Sequence, residues 1–153
     1  MKYLLTALIS MVPLIELRGG VPFGIANGID WKAALPLCMV ANMIPVPFIF
    51  FFARKVLEWG ADKKYIGKFF TFCLEKGQHG GEKLKAKAGR GVYVALLLFV
   101  GIPVPGTGAW TGTLAASMLD LEFKKSIVAV VLGVLLAGII MTVLSLIGVK
   151  ALT

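Results

Sequence analysis

Two ionisable side chains lie where an apolar sequence has little reason to keep them. Glu16 and Arg18 are the only charges between Lys2 and Asp30. An ionised group at membrane depth costs at least a few kcal/mol unless something holds it, so such a pair is a functional candidate by default. Glu16 is the candidate carrier of a coupling proton. Arg18 keeps its charge and presents a planar fork suited to a phosphate or carboxylate. The bland alternative is that the two pair with each other or cap broken backbone. Beside them runs Gly19-Gly20-Val21-Pro22-Phe23-Gly24, and a related stretch, Gly101-Ile102-Pro103-Val104-Pro105-Gly106-Thr107-Gly108, follows later. Gly20, Pro22, Pro103, Pro105, Gly106 and Gly108 mark soft or broken helix, and the backbone groups freed there need partners. Thr107, Trp110 and Thr111 add hydroxyl and indole donors to the second stretch. Together with Glu16 and Arg18, these tip residues form the candidate substrate or ion site; packing of small residues is the competing explanation.

The elements that position these residues follow from composition. The chain has 153 residues, 58% of them apolar and 16% charged, with mean hydropathy +0.88. A soluble domain is nearer half apolar and a quarter charged, so the class expected is an all-α integral membrane protein. The formal net charge is +8. Most cations cluster between uncharged stretches, which points to a basic cytoplasmic segment rather than to nucleic acid. Cys38 and Cys73 give neither a disulfide framework nor metal-type spacing, and no cofactor is expected. There is no Walker loop, carboxylate pair or Ser/His/Asp set, so no enzyme is expected.

Residues 33–53 and 126–149 form uncharged runs of 21 and 24 residues. At 1.5 Å per residue each is long enough to cross a core roughly 30 Å thick, and both are predicted transmembrane helices. Residues 3–29 and 91–119 are different. Each has an apolar arm, a Gly/Pro break and a second apolar arm, the pattern of a re-entrant hairpin; a kinked spanning helix is the alternative, and for the N-terminus a signal peptide. The insert 54–90 holds ten Lys/Arg and four Asp/Glu. Ile66, Phe69, Phe70, Cys73 and Leu74 share one helical face there, opposite Lys63, Lys64, Lys68, Glu75 and Lys76, as in a helix lying among headgroups. Gly77 is expected to end it, Gly80-Gly81 to join it to a short second helix, and His79 to be a loop residue.

The two Gly/Pro stretches lie 81 positions apart, each followed by a short polar link and a spanning helix. This order predicts a single membrane domain built as a duplication: repeat 1 over 1–53, the insert, and repeat 2 over 91–149. A hairpin does not change sides and one spanning helix does, so the second repeat is inverted. Tips of opposed hairpins would then meet near the midplane, as in secondary transporters. Asn42, flanked by Pro36, Pro45 and Pro47, is expected to bond a neighbouring helix or face the site. Ala129, Gly133 and Ala137 place small residues every fourth position, a face for repeat or protomer contact, and a homodimer is expected.

Glu16-Leu17-Arg18-Gly19-Gly20-Val21-Pro22-Phe23-Gly24 and Pro103-Val104-Pro105-Gly106-Thr107-Gly108-Ala109-Trp110 together resemble the small multidrug export protein family, and more distantly the DedA (VTT-domain) superfamily. The resemblance implies inverted re-entrant hairpins in a multi-pass inner-membrane protein. It also implies transport of a small amphiphilic substrate, such as a lipid-phosphate carrier or a drug exchanged for protons, among membrane lipids. By position it assigns Glu16 and Arg18 to the charged residues of the first hairpin, and Pro22, Pro103 and Pro105 to the hairpin prolines. A scaffold that binds anionic lipid through the insert is the non-transport alternative.

Overall fold

The computed structural model describes residues 1–63, 67–68, 71–72, 75, 91–104, 107–119 and 121–152. The amphipathic helix, the Gly77–Gly81 joint, His79, Cys73, Pro105 and Gly106 fall wholly or largely outside these. Among the described residues every regular element is helical. Helices α1 (Lys2–Met11) and α2 (Glu16–Ala26) are followed by α3 (Trp31–Met43). Past Pro45 come a short turn, Val46–Phe48, a π-helical segment, Ile49–Ala53, and α4 (Arg54–Ala61). After the insert come α5 (Val92–Gly101), α6 (Ala109–Met118) and α7 (Phe123–Leu152). Two stretches, Trp31–Phe52 with 22 residues and Phe123–Leu152 with 30, are long and apolar enough to cross a membrane.

Each short pair of helices folds back on itself. Lys2 Nζ donates to Gly28 O at 3.3 Å, which joins the start of α1 to the end of α2. At the second pair Glu122 N donates to the Tyr93 hydroxyl at 3.2 Å, joining the start of α5 to the residues after α6. The order helix, break, helix, long helix therefore occurs twice. Equivalent helices begin at 2 and 92, 16 and 109, 31 and 123. These starts lie about ninety residues apart, not the 81 by which the two Gly/Pro stretches are separated.

That difference has a local cause. The first break is not at Gly19–Gly24 but at Val12–Ile15, where Pro13 cannot continue α1. Val12, the residue before it, is extended (φ −70°, ψ 131°), as a following proline favours. Leu14 and Glu16 then take positive φ values of 72° and 54° to turn the chain. The Gly/Pro stretch lies inside α2, with Pro22 accommodated in the helix. Its glycines serve close approach instead. A Cβ on Gly20 would collide with the Ser10 hydroxyl, and one on Gly24 would stand 3.0 Å from the Thr6 methyl. Without water to drive apolar surfaces together, helices in lipid gain from such intimate contact.

Polarity runs opposite to that of a soluble protein. Thr6, Ser10, Glu16, Asn42, Thr113, Ser126 and Thr142 are buried, whereas Leu4, Val40, Phe48, Val128 and Ile147 are exposed. Thr6 and Ser10 satisfy themselves by donating to carbonyls one turn back, Lys2 O at 2.7 Å and Thr6 O at 3.0 Å. The chain is an integral membrane protein of helical architecture.

The small-residue face of α7 is occupied within the chain. Ala129 and Ala137 are buried, and a Cβ on Gly133 would stand 2.7 Å from both Leu97 O and Val100 Cβ of α5. Of the two contacts expected for this face, the structure shows the one inside the chain. Gly133→Leu should therefore lower the thermal unfolding temperature of a single protomer in detergent, through overpacking that costs about 1–3 kcal/mol or more. A variant with parental unfolding but altered protomer association would contradict this assignment.

Candidate functional site

The break between α5 and α6 leaves two sets of unsatisfied backbone groups. Helix α5 ends in carbonyls with no partner further along the helix, and α6 begins with free N–H groups. The aligned peptide dipoles make the first end negative and the second positive. Both ends are met by side chains of α2, more than eighty residues earlier.

Glu16 takes the positive end. Its Oε2 accepts from Ala109 N at 3.1 Å and its Oε1 accepts from Trp110 N at 2.8 Å. The carboxylate does for α6 what a local capping side chain does elsewhere, since Gly108 has none to offer. Gly108 is required here for two reasons. Its backbone lies at φ 131°, ψ −176°, a region that side chains rarely reach. A Cβ there would also stand 2.6 Å from Glu16 Oε2.

Arg18 takes the negative end. Nη1 donates to Val104 O at 2.9 Å and to Thr107 O at 3.0 Å. Nη2 donates to Ile102 O at 3.1 Å, Val100 O at 3.2 Å and Thr107 Oγ1 at 2.9 Å. The Thr107 hydroxyl lies 2.7 Å from Val104 O and 3.1 Å from Ile102 O, so it shares in tying the loop. One guanidinium thus organises the whole described part of the break, with its five donors in a fixed plane. Glu16 and Arg18 turn onto opposite ends of the second break rather than onto each other.

The structure brings Glu16, Arg18, Thr107, Gly108 and Trp110 together, and Pro103 stands in the same break. It places Gly20 elsewhere, against Ser10 and Cys38, a full turn along α2 from the carboxylate. Pro22 lies further along the same helix. Thr111 is buried in the first turn of α6. Asn42 does not bond a neighbouring helix: it is fully buried, and neither its Nδ2 nor its Oδ1 has a partner. Trp110 Nε1 and Thr113 Oγ1 are likewise without one. A signal for the first break was present in Pro13, which forbids helix through residues 12–15 more strongly than the glycines do downstream. No group of three or more potential metal ligands occurs among the described residues.

Chemically, the arrangement is a helix break whose two ends are capped by one carboxyl group and one guanidinium. A helix N-terminus and an arginine flank one break, and the chain's own carboxylate occupies the position an external acidic group would take. Over residues 16–140 the sequence matches the family described as "Putative small multi-drug export protein". No curated protein and no solved structure matches the chain.

Proposed function

Because the chain belongs to the small multi-drug export protein family, we propose that it is a non-enzymatic exporter whose moving part is the contact between its two helical hairpins. In this reading the hairpins enter the inner membrane from opposite faces, with the basic insert and Lys124 and Lys125 in the cytoplasm. The observation that carries it is the double capping of one helix break by Glu16 and Arg18. Apart from the bond of Arg18 to the Thr107 hydroxyl, each is made by a side chain of one hairpin to backbone of the other, so parting the hairpins frees both ends at once.

The substrate favoured is an amphiphile with an anionic headgroup, of the lipid-phosphate kind that the DedA likeness suggests. Such a headgroup replaces the Glu16 carboxylate at the α6 N-terminus and draws the Arg18 fork from the α5 carbonyls. Protonation of Glu16 assists by removing the charge that holds it there, which couples release to protons. The family description favours a second reading, exchange of a cationic drug for protons, in which Glu16 outranks Arg18. Membrane lipids are partners in either case.

Flux in proteoliposomes under an imposed pH gradient separates them, with a fluorescent phospholipid analogue and a cationic dye as alternative cargoes. Glu16→Gln should abolish the pH dependence. Arg18→Lys should cut anionic-headgroup flux about tenfold or more, because an ammonium cannot reproduce the planar fork. If dye flux alone is observed and survives Arg18→Lys, the cationic reading stands. A folded Glu16→Gln/Arg18→Lys double variant with parental flux of both cargoes returns the two residues to a structural role.

A further inference from the structure

The packing of α2 on α3 has a regular register that leads towards Asn42. A Cβ on Gly24 would lie 3.5 Å from that of Ala34, and one on Gly20 would lie 3.2 Å from the Cys38 sulfur. The helices run antiparallel, so one turn back along α2 meets one turn forward along α3. Extending this ladder by one more turn along each helix pairs position 16 with position 42. The side chain there is wholly buried, with donor and acceptor both unsatisfied. A carboxamide left so in low dielectric costs about 1–3 kcal/mol for each missing bond, whereas a leucine would cost nothing of the kind. Trp110, whose N–H holds Glu16, carries a second unsatisfied buried donor in its indole.

We propose that Asn42 is the second berth of the Glu16 carboxyl, occupied only when that carboxyl carries a proton. The chemistry is selective. A carboxylate presents oxygens alone and is repelled by Oδ1 of the amide. A carboxylic acid fits it twice: the acid O–H donates to Asn42 Oδ1 and the acid carbonyl accepts from Nδ2. One proton from the aqueous phase adds to a carboxylate oxygen and nothing else is consumed. On leaving the α6 N-terminus for Asn42, the neutral acid would uncover the N–H groups of Ala109 and Trp110 as it satisfies the amide. Few other charges bear on this exchange. Arg18 lies on the same helix with its η nitrogens bonded across the break, and the Cys38 thiol is one turn away on α3. The buried polar side chains that α1, α6 and α7 contribute, Thr6, Ser10, Thr111, Thr113, Ser126 and Thr142, carry no charge.

The inference rests on Glu16 as the proton carrier, but its test does not depend on transport. The sequence contains two asparagines, Asn27 and Asn42. In an Asn27→Ser protein with 13C-labelled asparagine carboxamide, infrared difference spectra between alkaline and acidic pH report Asn42 alone. Its carbonyl band should shift as Glu16 takes up a proton, and the shift should vanish in Glu16→Gln. In Asn42→Leu the band of the protonated Glu16 carbonyl should move to higher wavenumber. Its proton affinity should fall about tenfold, the worth of one such bonded pair. A labelled Asn42 band indifferent to Glu16 protonation overturns the proposal, and that measurement needs no variant at either residue. A responsive band without flux would sink the transport reading while leaving this one standing. Flux with a silent band would do the reverse.

Discussion

Arg18→Met is expected to lower unfolding stability in detergent by about 3–5 kcal/mol, the largest loss for any single residue of the first hairpin. The fork serves the carbonyls of Val100, Ile102, Val104 and Thr107 and the Thr107 hydroxyl. Methionine fills similar volume and returns none of these bonds. Removing one partner from a partly buried charged interaction leaves the carbonyls on the other side unsatisfied, which is why such truncations cost more than the intact contact is worth. The Thr107 hydroxyl limits the loss, since it can still reach Val104 O or Ile102 O. Thr107→Val in the Arg18→Met background should therefore cost more than it does alone. Chemical denaturation of the single and double variants measures this. Equal costs in the two backgrounds would mean that the hydroxyl and the guanidinium do not share the carbonyls.

Gly108→Ala is the second large effect, expected at about 2–5 kcal/mol with loss of pH-dependent flux. Part is backbone strain, about 1–3 kcal/mol for a side chain forced into this φ/ψ region. The rest is displacement of the Glu16 carboxylate, which would face the new methyl at 2.6 Å. The two parts can be told apart. Once Glu16→Gln has weakened the cap, Gly108→Ala should cost mainly the strain, leaving an interaction of at least about 1 kcal/mol in a double-mutant cycle. Strict additivity would show that the glycine is needed for its backbone alone.

Much of this arrangement could be read in the residues, and the limits have physical reasons. Glu16 and Arg18 stand out because charge is costly in an apolar run. Their partners do not, since those are backbone groups 82–94 positions away and have no residue type to betray them. The second break falls between Gly101 and Ala109, where Pro103 and Gly108 favour it. The first falls at Val12–Ile15, not at the similar string Gly19–Gly24, because Pro13 carries the steric prohibition and the glycines merely thin the helix. Two similar strings thus suggested a register that the helices do not keep. Asn42 stands out in the sequence as a polar residue between prolines. Its lack of any bond could not be anticipated, because only packing decides what a buried amide meets.

The separation between donors and acceptors also orders events during synthesis. Glu16 and Arg18 leave the ribosome long before Val100 and Trp110 exist, so for most of translation neither charge has its partner. An uncompensated pair of ions is cheapest where water and headgroups can solvate it. On the proposed topology the first hairpin is therefore held shallow while the first spanning helix, Trp31–Phe52, and the insert are still being made. When the second pair of short helices emerges, its broken backbone meets caps that are already waiting, and on the proposed topology both pairs then sink together. Helix α7 comes last and packs across α2, α3 and α5, so the slowest contact to be made closes over the ones that needed it.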